Sequence, residues 1–182
     1  MVSHPTKSLR DSAGTPKRVT ATAAYEVAAA VPDPELPMVT IGELGILRSV
    51  DVEDGAVVAT ITPTYSGCPA MREIGVDVRH QLERAGYRSV TVRTELAPAW
   101  SSDWITAEGR RKLAAAGIAP PHAAARRGAG PVPLTLGPRP EIACPHCGSS
   151  RTRQTAAFSG TACKALFRCD ECREPFEYVK PI

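Results

Sequence analysis

Cys144-Pro-His-Cys147 and Cys169-Asp-Glu-Cys172 decide how the C-terminal part of this chain folds. Each is a C-x-x-C pair, and 21 residues lie between the two. Such pairs bring four thiolates to the corners of a tetrahedron, the geometry Zn²⁺ takes. The gap is about one residue longer than the usual ribbon range, which a hairpin absorbs. Three other readings use the same sulfurs. Disulfides need an oxidising compartment, whereas Met1 to Thr20 is polar and carries no apolar signal core. Iron or an iron–sulfur cluster suits the same thiolates. A redox dithiol belongs in a β-α-β setting, and here a second pair shadows the first instead. Structural zinc is the reading adopted, and a closed four-thiolate site holds a fold together without announcing a function.

Upstream of the ribbon, placed at 141–182, the stretch 119–140 contains six prolines, several alanines and Arg126-Arg127. It reads as an exposed, semi-extended linker. Before it the pattern is that of a small domain, 20–118. Thr20 to Ala30 is Ala-rich and helical, and Val31-Pro32-Asp33-Pro34-Glu35-Leu36-Pro37 stops it. Gly45–Val52 and Ala56–Thr62 read as strands joined by an Asp54-Gly55 hairpin turn. Met71, Ile74, Val78, Leu82 and Ala85 recur at helical spacing, giving a helix over 69–85 with Gly86 as its stop. Ser89–Leu96 alternates as a third strand, with Val90, Val92, Thr94 and Leu96 on one face. Strands two and three, joined through a helix, are expected to be parallel. After Trp100, Asp103 or Thr106 caps a helix ending near Ala116-Gly117. Residues 1–19 read as a disordered lead. The expected architecture is a small mixed-sheet α/β (α+β) domain plus a C-terminal zinc ribbon.

Composition narrows the class. The 182 residues suffice for one medium domain and one small one. Hydrophobic residues are 43% and aromatics 5%, so the core must be aliphatic. No apolar run approaches membrane-spanning length. A cytoplasmic protein is expected, and a net charge of +3 does not by itself argue for nucleic acid.

Within the first domain Cys68 stands between Gly67 and Pro69. Proline favours the first helical position, so Cys68 falls at the N-cap, where the helix dipole favours a thiolate and lowers its pKa. The hydroxyls of Thr62, Thr64 and Ser66 surround it in sequence. It is either a reactive or metal-binding thiol or a small buried residue at a tight turn. Asp33 and Glu35 flank Pro34 on a rigid segment; they could hold a hard metal or orient a partner, or be solvated loop acids.

Asp33-Pro-Glu-Leu-Pro, Leu44-Gly-Ile and Thr62-Pro-Thr-Tyr-Ser-Gly-Cys-Pro-Ala together resemble the metal–sulfur (iron–sulfur) cluster assembly domain family. Pro98-Ala-Trp-Ser-Ser-Asp-Trp-Ile, Gly117-Ile-Ala-Pro-Pro, the two C-x-x-C pairs and Ser159-Gly-Thr-Ala-Cys-Lys-Ala-Leu resemble the D-component family associated with ring-1,2-phenylacetyl-CoA epoxidase. The resemblance implies hallmark residues at Asp33, Glu35 and Cys68. It also implies partnership with an NADPH-dependent multicomponent monooxygenase of aerobic phenylacetate catabolism, built from a di-iron oxygenase subunit and a flavin, [2Fe–2S] reductase. The D component looks like an accessory protein that matures one of those metal centres, with a transient iron–sulfur cluster or iron as its cargo.

The residues agree with an accessory role. No nucleotide loop, flavin fingerprint or triad spacing is present. His4, His80, His122 and His146 lack the Glu-x-x-His pattern of a di-iron bundle, so the chain is not expected to activate oxygen itself. The alternative is a structural or electron-transfer subunit of the epoxidase. A more remote one is a nucleic-acid-binding ribbon using Arg151, Arg153, Lys164 and Arg168, four residues more simply read as a solvated or partner face. Cys163 is a fifth ribbon thiol, either a spare or cluster-transferring ligand or an inward strand residue; the family motif favours function.

Overall fold

In the structure, a computed structural model, residues 20–54, 56–123 and 141–182 are described. Helix α1 spans Ala21–Ala29, its first turn capped by Thr20, whose hydroxyl accepts from the Ala23 N–H at 3.2 Å. Strands β1, Leu47–Glu53, and β2, Ala56–Ile61, form an antiparallel hairpin with Glu53 opposite Ala56. That register leaves a two-residue turn, and Asp54 takes the left-handed φ of +49° such a turn requires; Gly55 lies outside the described residues. Helix α2, Met71–Arg84, buries Ile74, Val78 and Leu82. These residues recur every fourth position, one face of a helix, which is why the apolar stripe meets the sheet. Gly86 follows with φ +95°, the left-handed stop expected of it. Strand β3, Val90–Thr94, returns parallel to β2. The sheet order is β1-β2-β3.

Alternation in β3 predicts four inward residues, and the structure keeps only the first of them fully buried. Val90 is in the core, Val92 is half-buried, and Thr94 and Leu96 are exposed. β3 is an edge strand, and its C-terminal half runs past the aliphatic cover that α2 supplies. Residues 120–123 form neither helix nor strand, and Ala119 and Pro121 are buried, so the start of the expected exposed linker is packed instead; the remainder, 124–140, like the expected lead 1–19, lies outside the described residues.

A 3₁₀ turn, Ser102–Trp104, precedes helix α3, Ala107–Ala115. Of the two cap candidates, Thr106 is the one that caps α3, accepting from the Gly109 N–H at 3.0 Å; Asp103 sits inside the 3₁₀ turn. Beyond Gly117, at φ +78°, comes β4, Ile118–Ala119, which the sequence pattern does not suggest. It pairs parallel to β7, Pro175–Val179, in a second sheet of order β4-β7-β6-β5, with β5 at Thr152–Ala156 and β6 at Lys164–Cys169. The boundary expected at residue 118 therefore falls inside a strand of the ribbon sheet.

The ribbon is fastened to the first unit at several points. Val179 joins the first hydrophobic core and Ile182 packs on it. Ser102, fully buried, donates its N–H to the Ile182 carbonyl at 3.0 Å. Arg110 binds the carbonyls of Ser102 at 2.7 Å and Pro121 at 2.5 Å. His146 lies where a Cβ on Gly117 would stand only 2.8 Å from the ring, so the knuckle rests on a position that only glycine fills. Among the described residues no helix is long and apolar enough to cross a membrane.

Candidate functional site

The four knuckle sulfurs come from two turns that face each other. Cys144 N–H bonds the Ser149 carbonyl and Gly148 N–H returns to Cys144, closing the first turn with Gly148 at φ +75°. Cys169 N–H bonds the Glu174 carbonyl across the second. Cys144 Sγ lies 3.7 Å from Cys172 Sγ and Cys147 Sγ lies 3.6 Å from Cys169 Sγ; all four lie within 4.8 Å of one another. A metal bound at about 2.3 Å by four thiolates sets sulfurs about 3.8 Å apart, so the donor set fits a tetrahedral ion. It does not fit disulfides, which need about 2.05 Å. The N–H of Cys172 holds the Cys169 thiol down at about 7. The Glu174 N–H pulls Cys172 down as well, but burial and the neighbouring thiols outweigh it and push this group up to about 12. Sulfurs packed this closely share protons until a cation replaces them.

The second site lies where the two units meet. Asp33, Glu35, Thr64 and Cys68 from the first unit and Cys163 and Lys164 from the ribbon line one cavity of about 30 Å³, walled by Leu36, Trp100 and Val179. That is room for about one water-sized group. Trp100 is fixed there by its Nε1–H, which donates to the Leu44 carbonyl at 3.0 Å. The resemblance motif around Cys163 becomes legible as a loop that presents this thiol. Ser159 N–H bonds the Lys164 carbonyl, Lys164 N–H bonds that of Thr161, and Thr161 Oγ1 lies 3.0 Å from Cys163 Sγ. Lys180 N–H closes on the Cys163 carbonyl at 2.9 Å.

Asp33 has a narrower role than a free carboxylate. Its Oδ1 accepts from the N–H groups of Glu35 at 2.9 Å and Leu36 at 2.8 Å, locking the Pro34 turn. Burial nonetheless holds its pKa above the usual carboxylate value against those two bonds. Glu35 is also raised, by burial and then by Asp33, and its carboxylate has no hydrogen-bond partner among the described residues. Thr62 is buried in the wall, its N–H on the Ile46 carbonyl, and does not line the cavity; Ser66 is exposed.

Cys68 corrects the expectation of a lowered pKa. The helix begins at Met71 with Ala70 as cap, so Cys68 precedes the N-cap by two residues. Burial pushes its thiol up, the Ala70 N–H pulls it down less, and the negative charges of Glu35, Cys163 and Asp33 push it up further. Desolvation and like charge outweigh the helix dipole. Asp33, Glu35, Cys68 and Cys163 share the cavity, yet among the described residues the ribbon cysteines are the one group of three or more ligands that converges closely enough for a metal.

Lys164 also departs from expectation. It is buried, not part of a basic face, and its Nζ lies 2.8 Å from Glu177 Oε2, with Ser159 Oγ on the other oxygen. Arg151 pairs with Glu171 at 2.9 Å, Arg153 with Asp170 at 3.1 Å, and Arg168 bonds the Arg173 carbonyl. The quartet is thus engaged within the ribbon. The carbonyl of Tyr65, inside the Thr62–Ala70 motif, accepts from the Cys68 N–H at 3.1 Å, and the Tyr65 pKa is raised by burial and then by Cys68, Cys163 and Glu35. The quoted motifs contain Tyr65 and Lys164 but do not state their settings, which both residues acquire only when the ribbon docks. Replacing Glu177 by Gln leaves Lys164 buried without its counter-charge. We expect a loss of about 2 kcal/mol in denaturant unfolding, below the fully buried range because Glu177 is part-exposed, and recovery in a Lys164→Met/Glu177→Leu pair. An unchanged midpoint for Glu177→Gln would show the pair to be idle.

Residues 22–93 match the iron–sulfur cluster assembly protein family and residues 128–180 match the PaaD zinc beta ribbon domain. The fold and the site thus define a protein that joins a cluster-assembly domain to a cysteine ribbon. An Escherichia coli (strain K12) protein provisionally assigned as the D component of 1,2-phenylacetyl-CoA epoxidase is 42% identical over 152 residues, 84% of this chain and 87% of that one. The chain belongs to this D-component family, PaaD. A Porphyromonas gingivalis (strain ATCC BAA-308 / W83) protein named Fe-S protein maturation auxiliary factor is 38% identical over 83 residues, 44% of this chain and 78% of that one. A Bacillus anthracis domain of unknown function aligns at 29% identity and a TM-score of 0.48, covering 51% of this chain and 90% of its own.

Proposed function

We propose that this protein is an accessory factor of the phenylacetyl-CoA epoxidase that matures one of its metal centres, the [2Fe–2S] cluster of the reductase or the di-iron site of the oxygenase. Supporting this, its relatives include a D component of that epoxidase and a protein named for Fe-S protein maturation. The observation that carries the reading is the cavity where Cys68 of the assembly domain faces Cys163 of the ribbon, with Glu35 beside them. Zn²⁺ in the Cys144, Cys147, Cys169 and Cys172 knuckle supplies the rigid end from which β6 runs to Cys163. The first unit, from residue 20 to the start of β4, and the ribbon of 141–182 that β4 joins act together in the cytoplasm on the other epoxidase components. No oxygen-activating step is assigned to this chain.

The cavity suits a donor that holds its cargo briefly. Cys68 stays protonated at rest because burial and the nearby carboxylates oppose a thiolate. A cationic iron cargo displaces that proton, so loading improves as pH rises toward the raised thiol pKa and weakens as it falls. With fewer than three converging ligands among the described residues, the remaining positions on the metal are left for the client. The test is to produce the reductase and oxygenase components in cells with and without this protein and measure their iron and acid-labile sulfide. Maturation predicts metal-poor components in its absence; full metal content would overturn it. One observation favours a second reading, in which the chain is a structural or electron-transfer part of the complex: the Escherichia coli relative is named as one of the epoxidase's subunits. Stable copurification in fixed ratio would support that alternative.

A further inference from the structure

A second surface lies on the far edge of the first sheet, away from the cysteines. α2 crosses β3 there and leaves a groove of about 260 Å³ floored by Gly75, Val76 and Val92. Arg72, Arg79 and His80 line it, and among the described residues no acidic side chain does. None of these three side chains has an ion pair or hydrogen bond among the described residues.

Among the described residues the backbone beside the groove is also unpaired. β3 bonds β2 on one side only. The bonds Glu95 N–H to Ile61 and Val57 N–H to the Ser89 carbonyl put the odd-numbered residues of β3 toward β2. By alternation, the N–H and C=O groups of Val92 and Thr94 point outward, as a template for another strand. Gly75 is the third observation. It sits mid-helix, where glycine weakens α2. Folding does not require it: a Cβ there would meet only Val92 Cγ1, at an ordinary 3.9 Å. What its missing side chain provides is depth in the groove.

We propose that this groove docks an acidic, extended segment of a partner protein, added as a strand to β3 with its carboxylates on Arg72, Arg79 and His80. The chain's own remaining segments have the wrong charge. Residues 1–19 carry Lys7, Arg10, Lys17 and Arg18 against Asp11 alone, and residues 124–140 carry Arg126, Arg127 and Arg139 with no acid. A second copy meeting edge to edge would bring the same cations against themselves. Strand addition supplies main-chain bonds, and the flanking charges select the partner.

The probe is a capped octapeptide of alternating valine and glutamate, titrated into the ¹⁵N-labelled full chain, with the valine–lysine counterpart as control. Saturable shifts at the Val92 and Thr94 amides, weakened by salt, are expected from the acidic peptide alone. Gly75→Leu should raise the dissociation constant roughly tenfold or more by filling the groove, and Arg72→Glu/Arg79→Glu should do likewise by reversing its charge. Leucine is the better helix former, so lost binding in Gly75→Leu is not lost folding. Equal shifts from the lysine peptide, or shifts mapping elsewhere, would overturn the proposal. So would movement of the same amides with protein concentration alone, which assigns the edge to a second copy. Release of amides in 1–19 or 124–140 on peptide addition assigns it to the chain's own segments and overturns it equally.

Discussion

Cys169→Ser is expected to strip the ribbon of its metal, unfold residues 141–182 and open the cavity at the other end of the same strand. The ribbon has little else to hold it. Its buried core consists of Ala119, Cys144, Ala165, Phe167, Cys169, Phe176 and Tyr178, and two of these seven are knuckle thiols. Apparent zinc binding in small fingers is on the order of 10–16 kcal/mol, more than so small a core supplies. β6 carries Cys169 at its end and Lys164 at its start, next to Cys163. Loss of the knuckle therefore frees Cys163 and Lys164 from the cavity. Val179 and Ile182 leave the first core with them, so the first unit loosens while α2 and its sheet persist. Metal analysis, amide exchange and the alkylation rate of Cys68 read the three effects. One metal per chain retained in both Cys144→Ser and Cys169→Ser would contradict the four-thiolate assignment. An unchanged Cys68 alkylation rate after metal loss would contradict the coupling.

Cys68→Ser is expected to separate folding from function. Serine matches cysteine in size at a half-buried turn, so stability should stay within about 1 kcal/mol. It provides no soft donor for iron. Epoxidase components made in cells holding only this variant should carry iron and activity reduced more than roughly tenfold, as in cells lacking the protein. Cys163→Ser should fall between, because it leaves Cys68 and Glu35 in place. Normal growth on phenylacetate with Cys68→Ser would remove the thiol from the account. The Asp33→Asn variant is a useful contrast: Asn retains a side-chain oxygen for the Glu35 and Leu36 N–H groups, so the turn should survive.

What the sequence reveals here depends on how far apart the interacting residues are. Ile74, Val78 and Leu82 are four apart and state their helix locally; the paired cysteines state a ribbon by spacing; Asp54 states its turn by its neighbours. The core of the site is legible as a set of residues, since Asp33, Glu35, Thr64, Cys68 and Cys163 do line one cavity. Their electrostatics are not. Reading Cys68 from Pro69 alone gives a thiol at a helix N-terminus; the acids and second thiol that raise its pKa arrive from 33 and 35 residues before it and 95 after it. Lys164 looks like a surface cation until Glu177 and the first unit cover it. β4 is two residues long, too short to show alternation, and exists only because β7 docks beside it.

The most direct test of the maturation account takes epoxidase components produced without this protein and adds the purified protein to them. A factor that acts before turnover stores its effect in the client's metal, so the protein alone should restore no activity on phenylacetyl-CoA. Activity should return only when iron and sulfide are supplied with it, in step with client iron content. Components matured in its presence and then purified free of it should stay active. Immediate restoration by the protein alone, with client metal unchanged, would contradict the account and identify a structural or electron-transfer subunit instead.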